Sequence, residues 1–363
     1  MESINKDILT IIKAYISDNY DFKIDNNVSK ILNLGTAYRI GTILAYSLKK
    51  NYIYKEEKEL DSVLLFNVAR VEKLNKVRKH IEKTLENSNI NFIFLKGATL
   101  AKYYKEDYLR YSNDIDLIVE KESYENARKI LIDNGFSLFS SSANESSLVF
   151  NNDVVIDLHC MFTQNDEQTE ELFKDVVFDS KHELSEEYKY IFLIYHASKH
   201  IRENYLPLQF LLDLYYLSKL DLDKEFVNNI LFKMKLDKFN NTNLQLINYL
   251  LNGNNESSLM KDYISFLTNM ANNKGLDNMV LARQGSGIVY VLKRAFPNYE
   301  EMCRLYPGVS KSRFLLPYYY VKRIIDRVAQ GKTDRTLSEI NVSLNMDKEK
   351  IIKTKQLFNE LGL

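Results

Sequence analysis

The sequence predicts an α+β protein, predominantly helical, with a small strand-bearing core flanked by N- and C-terminal helical lobes. Three observations carry that expectation. Proline is scarce, four residues in 363 with Pro207 the first, so few positions break a helix. Apolar residues recur at helical spacing over long stretches on both sides of the middle. From Ile90 that rhythm gives way to short apolar or alternating runs bounded by turn residues. The expected division is 1–88 as an N-terminal helical region, 89–182 as an α/β core and 183–363 as a C-terminal helical domain.

Each element follows from its local pattern. MESINKDILTIIKAYISDNY repeats Ile8, Ile11, Ile12, Tyr15 and Ile16 at helical spacing and carries Glu2 and Asp7. It reads as an amphipathic helix, because a signal peptide needs an uninterrupted apolar stretch behind a basic start. VLLFNVARVEKLNKVRKHIEKTLENSN extends the helical pattern to a polar Asn/Ser cluster. INFIFLKG is then a strand closed by Gly97, ATLAKYYK a helical piece and DIDLIVE a second strand. KESYENARKILIDNGF is a helix with Ser123 as N-cap and Gly135 as its stop. SLVF, the turn NND and VVIDLHC form a hairpin, giving at least four strands. EEYKYIFLIYHASKHIRENY and LQFLLDLYYLSKL return to helix, and NNKGLDN and RQGSG mark later loops.

Composition narrows the class. Hydrophobic residues make up 45% and charged residues 27%, the balance of a globular chain rather than a disordered one. Lys plus Arg equals Asp plus Glu at 49 each, which argues against a protein that coats nucleic acid by charge alone. The end from Val309 is mildly basic, with 11 Lys/Arg against 6 Asp/Glu, either a solvated face or a dock for a negatively charged acceptor. PYYYVKRIIDR is the densest group among 25 tyrosines and reads first as core or interface. Cys160 and Cys303 show no metal or disulfide spacing, and no run is long enough to cross a bilayer. The expectation is a cytoplasmic protein without a membrane partner.

The chemistry concentrates in RYSNDIDLIVEK. In a strand, Asp114 and Asp116 share one face while Ile115, Leu117 and Val119 take the other. Two carboxylates side by side repel unless a cation stands between them, and Mg²⁺ suits carboxylates with substrate phosphates. In VVIDLHC, Asp157 shares a face with Val155 and His159, an expensive place for a lone acid. If the two strands are neighbours, three carboxylates converge, and such a trio can hold two metal ions for in-line phosphoryl or nucleotidyl transfer. An Asp-x-Asp at a strand end is also a common polar edge. Asp157 and the Gly97 turn tip the balance toward function.

FLKGATLAKYY, LRYSNDIDLIV and VVIDLHC together resemble the nucleotidyltransferases of the DNA polymerase β-like superfamily, and more narrowly its uncharacterised bacterial nucleotidyltransferase family. The resemblance rests on LKG at 95–97, Arg110, Asp114, Asp116, DLH at 157–159, HASKH at 196–200 and LLDL at 211–214, over roughly residues 90 to 215. It implies a small mixed-sheet core, with Asp114 and Asp116 holding Mg²⁺ and Asp157 as third ligand or as general base for an acceptor hydroxyl. The substrate implied is an NTP of unknown base, and the acceptor is a small molecule, protein or RNA. The wider superfamily has Gly-Ser or Gly-Gly at the phosphate turn where this chain has Lys96-Gly97. Gly97 still permits close backbone approach to phosphate, and Lys96 adds a point charge.

The remaining candidates are cationic. Arg110 either neutralises the carboxylates or clamps a phosphate. His196, Lys199 and His200 share a helical face, with contact to triphosphate or acceptor as the functional reading and a satisfied packing face as the alternative. The His-x-x-x-His spacing suits zinc, but no Glu follows the first His and no third ligand stands nearby. Asp213 is expected to pair with one of the cations of HASKH. The function expected is Mg²⁺-dependent transfer of a nucleoside monophosphate. A toxin- or defence-type enzyme acting on tRNA or protein, a catalytically degenerate nucleotide binder and a structural helical protein stand as alternatives.

Overall fold

The computed structural model describes residues 2–163, 166–203, 206–252, 257–273, 296–299, 302–303, 306, 308–329 and 348–363. The chain forms two compact units, Met1–Ala197 with Pro207–Met260, and Ser198–Leu206 with Lys261–Leu363.

The first unit opens with four helices, α1 (Glu2–Ser17), α2 (Val28–Ala37), α3 (Gly41–Lys50) and α4 (Lys58–Glu86). Ile8, Ile11 and Tyr15 of α1 are buried as their spacing predicts, with Ile31, Ile43 and Leu44 of the next two helices. Buried Asp7 accepts the backbone N–H groups of Asp25 and Asn26, so this interior acid is satisfied as a loop anchor.

A five-stranded sheet follows, built from β1 (Phe92–Leu95), β2 (Asp114–Val119), β3 (Phe136–Ser141), β4 (Glu145–Phe150) and β5 (Val154–His159). Its spatial order is β1-β2-β5-β4-β3. β2 and β5 run parallel and the other pairs antiparallel, which makes the sheet mixed. α4 and α6 (Tyr124–Asp133) cover one face, where Val77, Ile81, Leu85 and Leu131 meet Phe92, Phe94, Ile115, Leu117, Ile156 and Leu158. The alternation read from DIDLIV and VVIDLH thus sends the apolar set inward and the acids to the opposite face.

The three-residue turn between β4 and β5, Asn151 to Asp153, places Asn151 and Asn152 at positive φ, a backbone that Asn tolerates. β3 is a strand the pattern did not announce. Only Phe136 of FSLFSS is buried, so this edge strand lacks an apolar rhythm. Ser123 does stand at the N-cap of α6, but its side chain makes no capping bond, because the turn Lys121–Ser123 leads into the helix. Gly135 closes α6 at φ +96°, as expected of a stop glycine.

Single-turn helices α5 (Ala98–Ala101) and α7 (Glu167–Glu170) follow β1 and β5. The first unit is completed by α8 (Glu186–Glu203) up to Ala197, α9 (Gln209–Leu217), α10 (Lys224–Lys233) and α11 (Asp237–Asn252).

In the second unit the described helices include Leu316–Ala329 and Lys348–Leu361. PYYYVKRIIDR lies on the first of these, where Tyr320 donates to the Pro297 carbonyl. The loop signals NNKGLDN (from Lys274) and RQGSG, and residues 330–347 of the basic C-terminal end, lie outside the described residues. Among the described residues no helix is long and apolar enough to cross a membrane.

Candidate active site

Strand register assembles the acids. Asp116 on β2 is the partner of Asp157 on β5, and Asp114 pairs with Val155 one step earlier on the same face. Asp-x-Asp and the Asp of VVIDLHC are therefore neighbours because β2 and β5 are adjacent and parallel. His159, two residues after Asp157, shares that face and brings Nε2 to 3.7 Å from Asp116 Oδ1.

The turn after β1 delivers the cation. Lys96 and Gly97 both have positive φ, +45° and +46°, and Thr99 closes the turn by donating its N–H and hydroxyl to the Lys96 carbonyl. Lys96 Nζ lies 3.3 Å from Asp116 Oδ1 and donates to His196 Nε2 on α8 at 2.8 Å. It also stands 5.7 Å over the Phe192 ring.

These surroundings separate the three carboxyls. Burial works to raise the Asp116 carboxyl, but Lys96 and His159 outweigh it and hold the group well below the usual carboxylate range. Asp114 goes the other way, raised by burial and by the charge of Asp116. Asp157 is raised by burial and by both other aspartates, although Ser147 Oγ donates to its Oδ1 at 2.6 Å.

Arg110 is buried and bidentate on buried Asp213, with Nε to Oδ1 at 2.7 Å and Nη2 to Oδ2 at 2.9 Å. Its Nη1 donates to the Gly97 carbonyl, and Tyr104 donates to Asp213. The partner of Asp213 is thus Arg110, and not a cation of HASKH: α9 lies against the loop that carries Arg110. In the same contact Gln209 accepts from the Tyr111 N–H and donates to the Tyr111 carbonyl, both at 3.0 Å.

A cavity of about 290 Å³ opens at the turn, bounded by Lys96, Gly97, Arg110, Asp114 and Asp116, with Arg78 of α4 on its wall. Asp157 stands beside Asp116 in the sheet. Of the three α8 candidates, His196 belongs to the first unit and is brought to the turn, while Lys199 and His200 belong to the second.

Among the described residues no group of three or more His, Cys, Asp or Glu is gathered closely enough to hold a metal ion, the HASKH pair included. Even so, the donor set suits a hard cation. Among those residues no side chain donates to Asp114, and Asp157 receives only the Ser147 hydroxyl. Two carboxyls raised by burial and by neighbouring acids are suitable oxygen ligands.

Sequence reasoning passed over His159, Gln209 and Arg78 as site residues. The DLH motif contained a signal for the first. Gln209 and Arg78 carried none, because their roles depend on which helix lies against which loop.

A family model described as an uncharacterised nucleotidyltransferase matches residues 25–252. That span exceeds the 90–215 stretch of the motifs and takes in α2 to α4, while α1 lies outside it. No curated protein matches the chain.

Proposed function

The chain belongs to the uncharacterised nucleotidyltransferase family, and from that premise we propose a Mg²⁺-dependent enzyme that moves a nucleoside monophosphate from an NTP to an acceptor hydroxyl, releasing pyrophosphate. The observation that supports this best is the register pairing of Asp116 with Asp157 beside Asp114, next to a cavity bounded by the Lys96–Gly97 turn.

The turn takes the triphosphate. Gly97 has no Cβ to keep phosphate oxygens from the backbone, and Lys96 adds positive charge. Arg110 holds the turn in shape through the Gly97 carbonyl and is itself fixed by Asp213. His196 fixes the direction of the Lys96 ammonium.

Asp114, Asp116 and Asp157 would hold Mg²⁺, which when bound polarises the α-phosphate and offsets the charge of the triphosphate. Asp157 is the general base. Its raised carboxyl is nearer to exchanging a proton at neutral pH than that of Asp116, and its Oδ2 accepts no hydrogen bond among the described residues. It takes the acceptor hydroxyl proton as that oxygen bonds to the α-phosphorus. The bond from the α-phosphorus to the leaving pyrophosphate breaks in the same displacement. The reaction belongs in a reducing cytoplasm, where Cys160 and Cys303 stay as free thiols.

Calorimetric titration of each of the four NTPs with Mg²⁺, on the wild type and on the Asp114→Asn/Asp116→Asn double variant, tests the reading. Metal-dependent binding of one NTP that disappears in the variant supports it and names the base. Absence of binding for all four overturns it. A second reading, a nucleotide binder without turnover, draws on the contact of Lys96 with Asp116. Binding without pyrophosphate release across candidate hydroxyl acceptors would favour it.

A further inference from the structure

Lys96 is an unusual residue to find at its position. Its φ of +45° is a backbone that glycine adopts at little cost and that a side chain opposes. What offsets the strain is contact: Asp116 Oδ1 at 3.3 Å, His196 Nε2 at 2.8 Å and the face of Phe192 at 5.7 Å. The Lys96 side chain is 19% exposed and that of Asp116 is 11% exposed, so water screens the pair weakly. Among the described residues neither Asp114 nor Asp157 forms a salt bridge; the charges of Lys96 and Arg39 reach Asp114 only from a distance.

We propose that Lys96 replaces one of the two divalent ions that a carboxylate trio of this kind can hold, so that the site takes a single divalent cation on the Asp114 and Asp157 side while the lysine ammonium neutralises Asp116. The proposal rests on the metal-dependent reading of the site.

Charge favours this arrangement. Three ionised carboxylates are cancelled by one divalent ion and one ammonium. A second divalent ion on Asp116 would sit against the ammonium in a poorly screened site and be repelled. Coordination favours it too, since Mg²⁺ is satisfied by one or two carboxylates with water and substrate phosphates.

Titration of the full chain with Mn²⁺, free ion counted by electron paramagnetic resonance and no nucleotide present, tests it. The wild type is expected to bind one Mn²⁺, Asp114→Asn to lose it, and Lys96→Met to bind two because Asp116 is released. Lys96→Gly relieves the positive φ and repeats the test should the methionine variant misfold. Two ions on the wild type would overturn the substitution of lysine for metal while leaving the metal-dependent reading intact. One ion on both folded Lys96 variants would overturn it as well. No Mn²⁺ on the wild type or on either variant would remove the metal-dependent reading itself, and this inference with it.

Discussion

Asp116 and Asp157 are register partners on adjacent parallel strands, yet their surroundings drive the two carboxyls in opposite directions. Lys96 and His159 hold Asp116 down against its burial. Burial and the neighbouring acids push Asp157 up. One carboxyl is held as a fixed negative charge and the other is shifted toward exchanging a proton.

Opposite shifts have opposite consequences for stability. A carboxyl below its unfolded value adds stability above the ordinary Asp range and loses it as pH falls through the folded value. A raised carboxyl does the reverse: it favours the fold at low pH, and that contribution is lost as pH rises. Asp114→Asn and Asp157→Asn are therefore expected to raise the Tm of the first unit at pH 7 by about 2–4 °C, the shift that roughly 1 kcal/mol gives a body of this size. The gain should be smaller at pH 5 than at pH 7, because a raised carboxyl takes up its proton as pH falls. Asp116→Asn should lower the Tm instead, since it strips Lys96 of its counter-ion. All three should cost roughly 10²-fold or more in turnover. Thermal unfolding of the three variants at the two pH values checks the sign, and equal destabilisation by all three would refute the assignment.

Gly97 combines φ +46° with ψ −121°, a conformation that residues with a Cβ resist. Space is not the obstacle, because an added Cβ would come no nearer than 3.5 Å to Ser112 Oγ. Gly97→Ala should accordingly cost about 1–3 kcal/mol of backbone strain. The Arg110 bond to the Gly97 carbonyl should loosen, and NTP affinity should fall about tenfold for each 1.4 kcal/mol of disturbance carried into the turn. Urea denaturation with calorimetry on the same variant tests both, and an unchanged midpoint would show that the turn relaxes freely.

The pair Arg110–Asp213 is buried on both sides, at 7% and 4% exposure. Removing one member leaves an uncompensated charge in the interior. Arg110→Met and Asp213→Asn are each expected to cost about 3–5 kcal/mol, while Arg110→Met with Asp213→Leu should recover most of the loss. The recovered double variant should stay impaired in nucleotide binding, because the Gly97 carbonyl has still lost its donor. A double variant with full binding would mean that the pair serves only the fold.

What could be read in advance was what side-chain alternation and turn chemistry encode locally. Asp114, Asp116 and Asp157 were legible because a strand with acids on one face and Ile, Leu and Val on the other declares both its face and its polarity. The adjacency of β2 and β5 was a condition stated in advance and met by the register. β3 was illegible because an exposed edge strand needs no apolar rhythm, and its serines mimic a loop. The partner of Asp213 was illegible for a different reason. Arg110 lies 103 residues away in sequence, and no local pattern reports a buried pair across that separation.

The loop between Arg110 and Asp114 is held from two elements, and its rigidity is open to measurement. From α4, Arg70 Nε donates to the Ser112 carbonyl at 2.6 Å, with its guanidinium over the Tyr111 ring, and Asn67 donates to the Tyr108 carbonyl. From α9, Gln209 grips both backbone groups of Tyr111. Ser112 Oγ then donates to the Asp114 carbonyl, so the clamp ends on the first residue of β2. Arg70→Ala should cost only about 1 kcal/mol of stability, the usual yield of one such bond. Turnover should fall about 10- to 100-fold, because a misplaced reacting group costs rate far more than it costs folding. KM for the NTP should change little, since the phosphate turn is braced separately by Arg110. Gln209→Ala should behave alike, and the double variant should lose more than the sum of the two because both hold one loop. A fall in affinity with kcat preserved would instead make Arg70 part of the nucleotide pocket and remove the clamp from the mechanism.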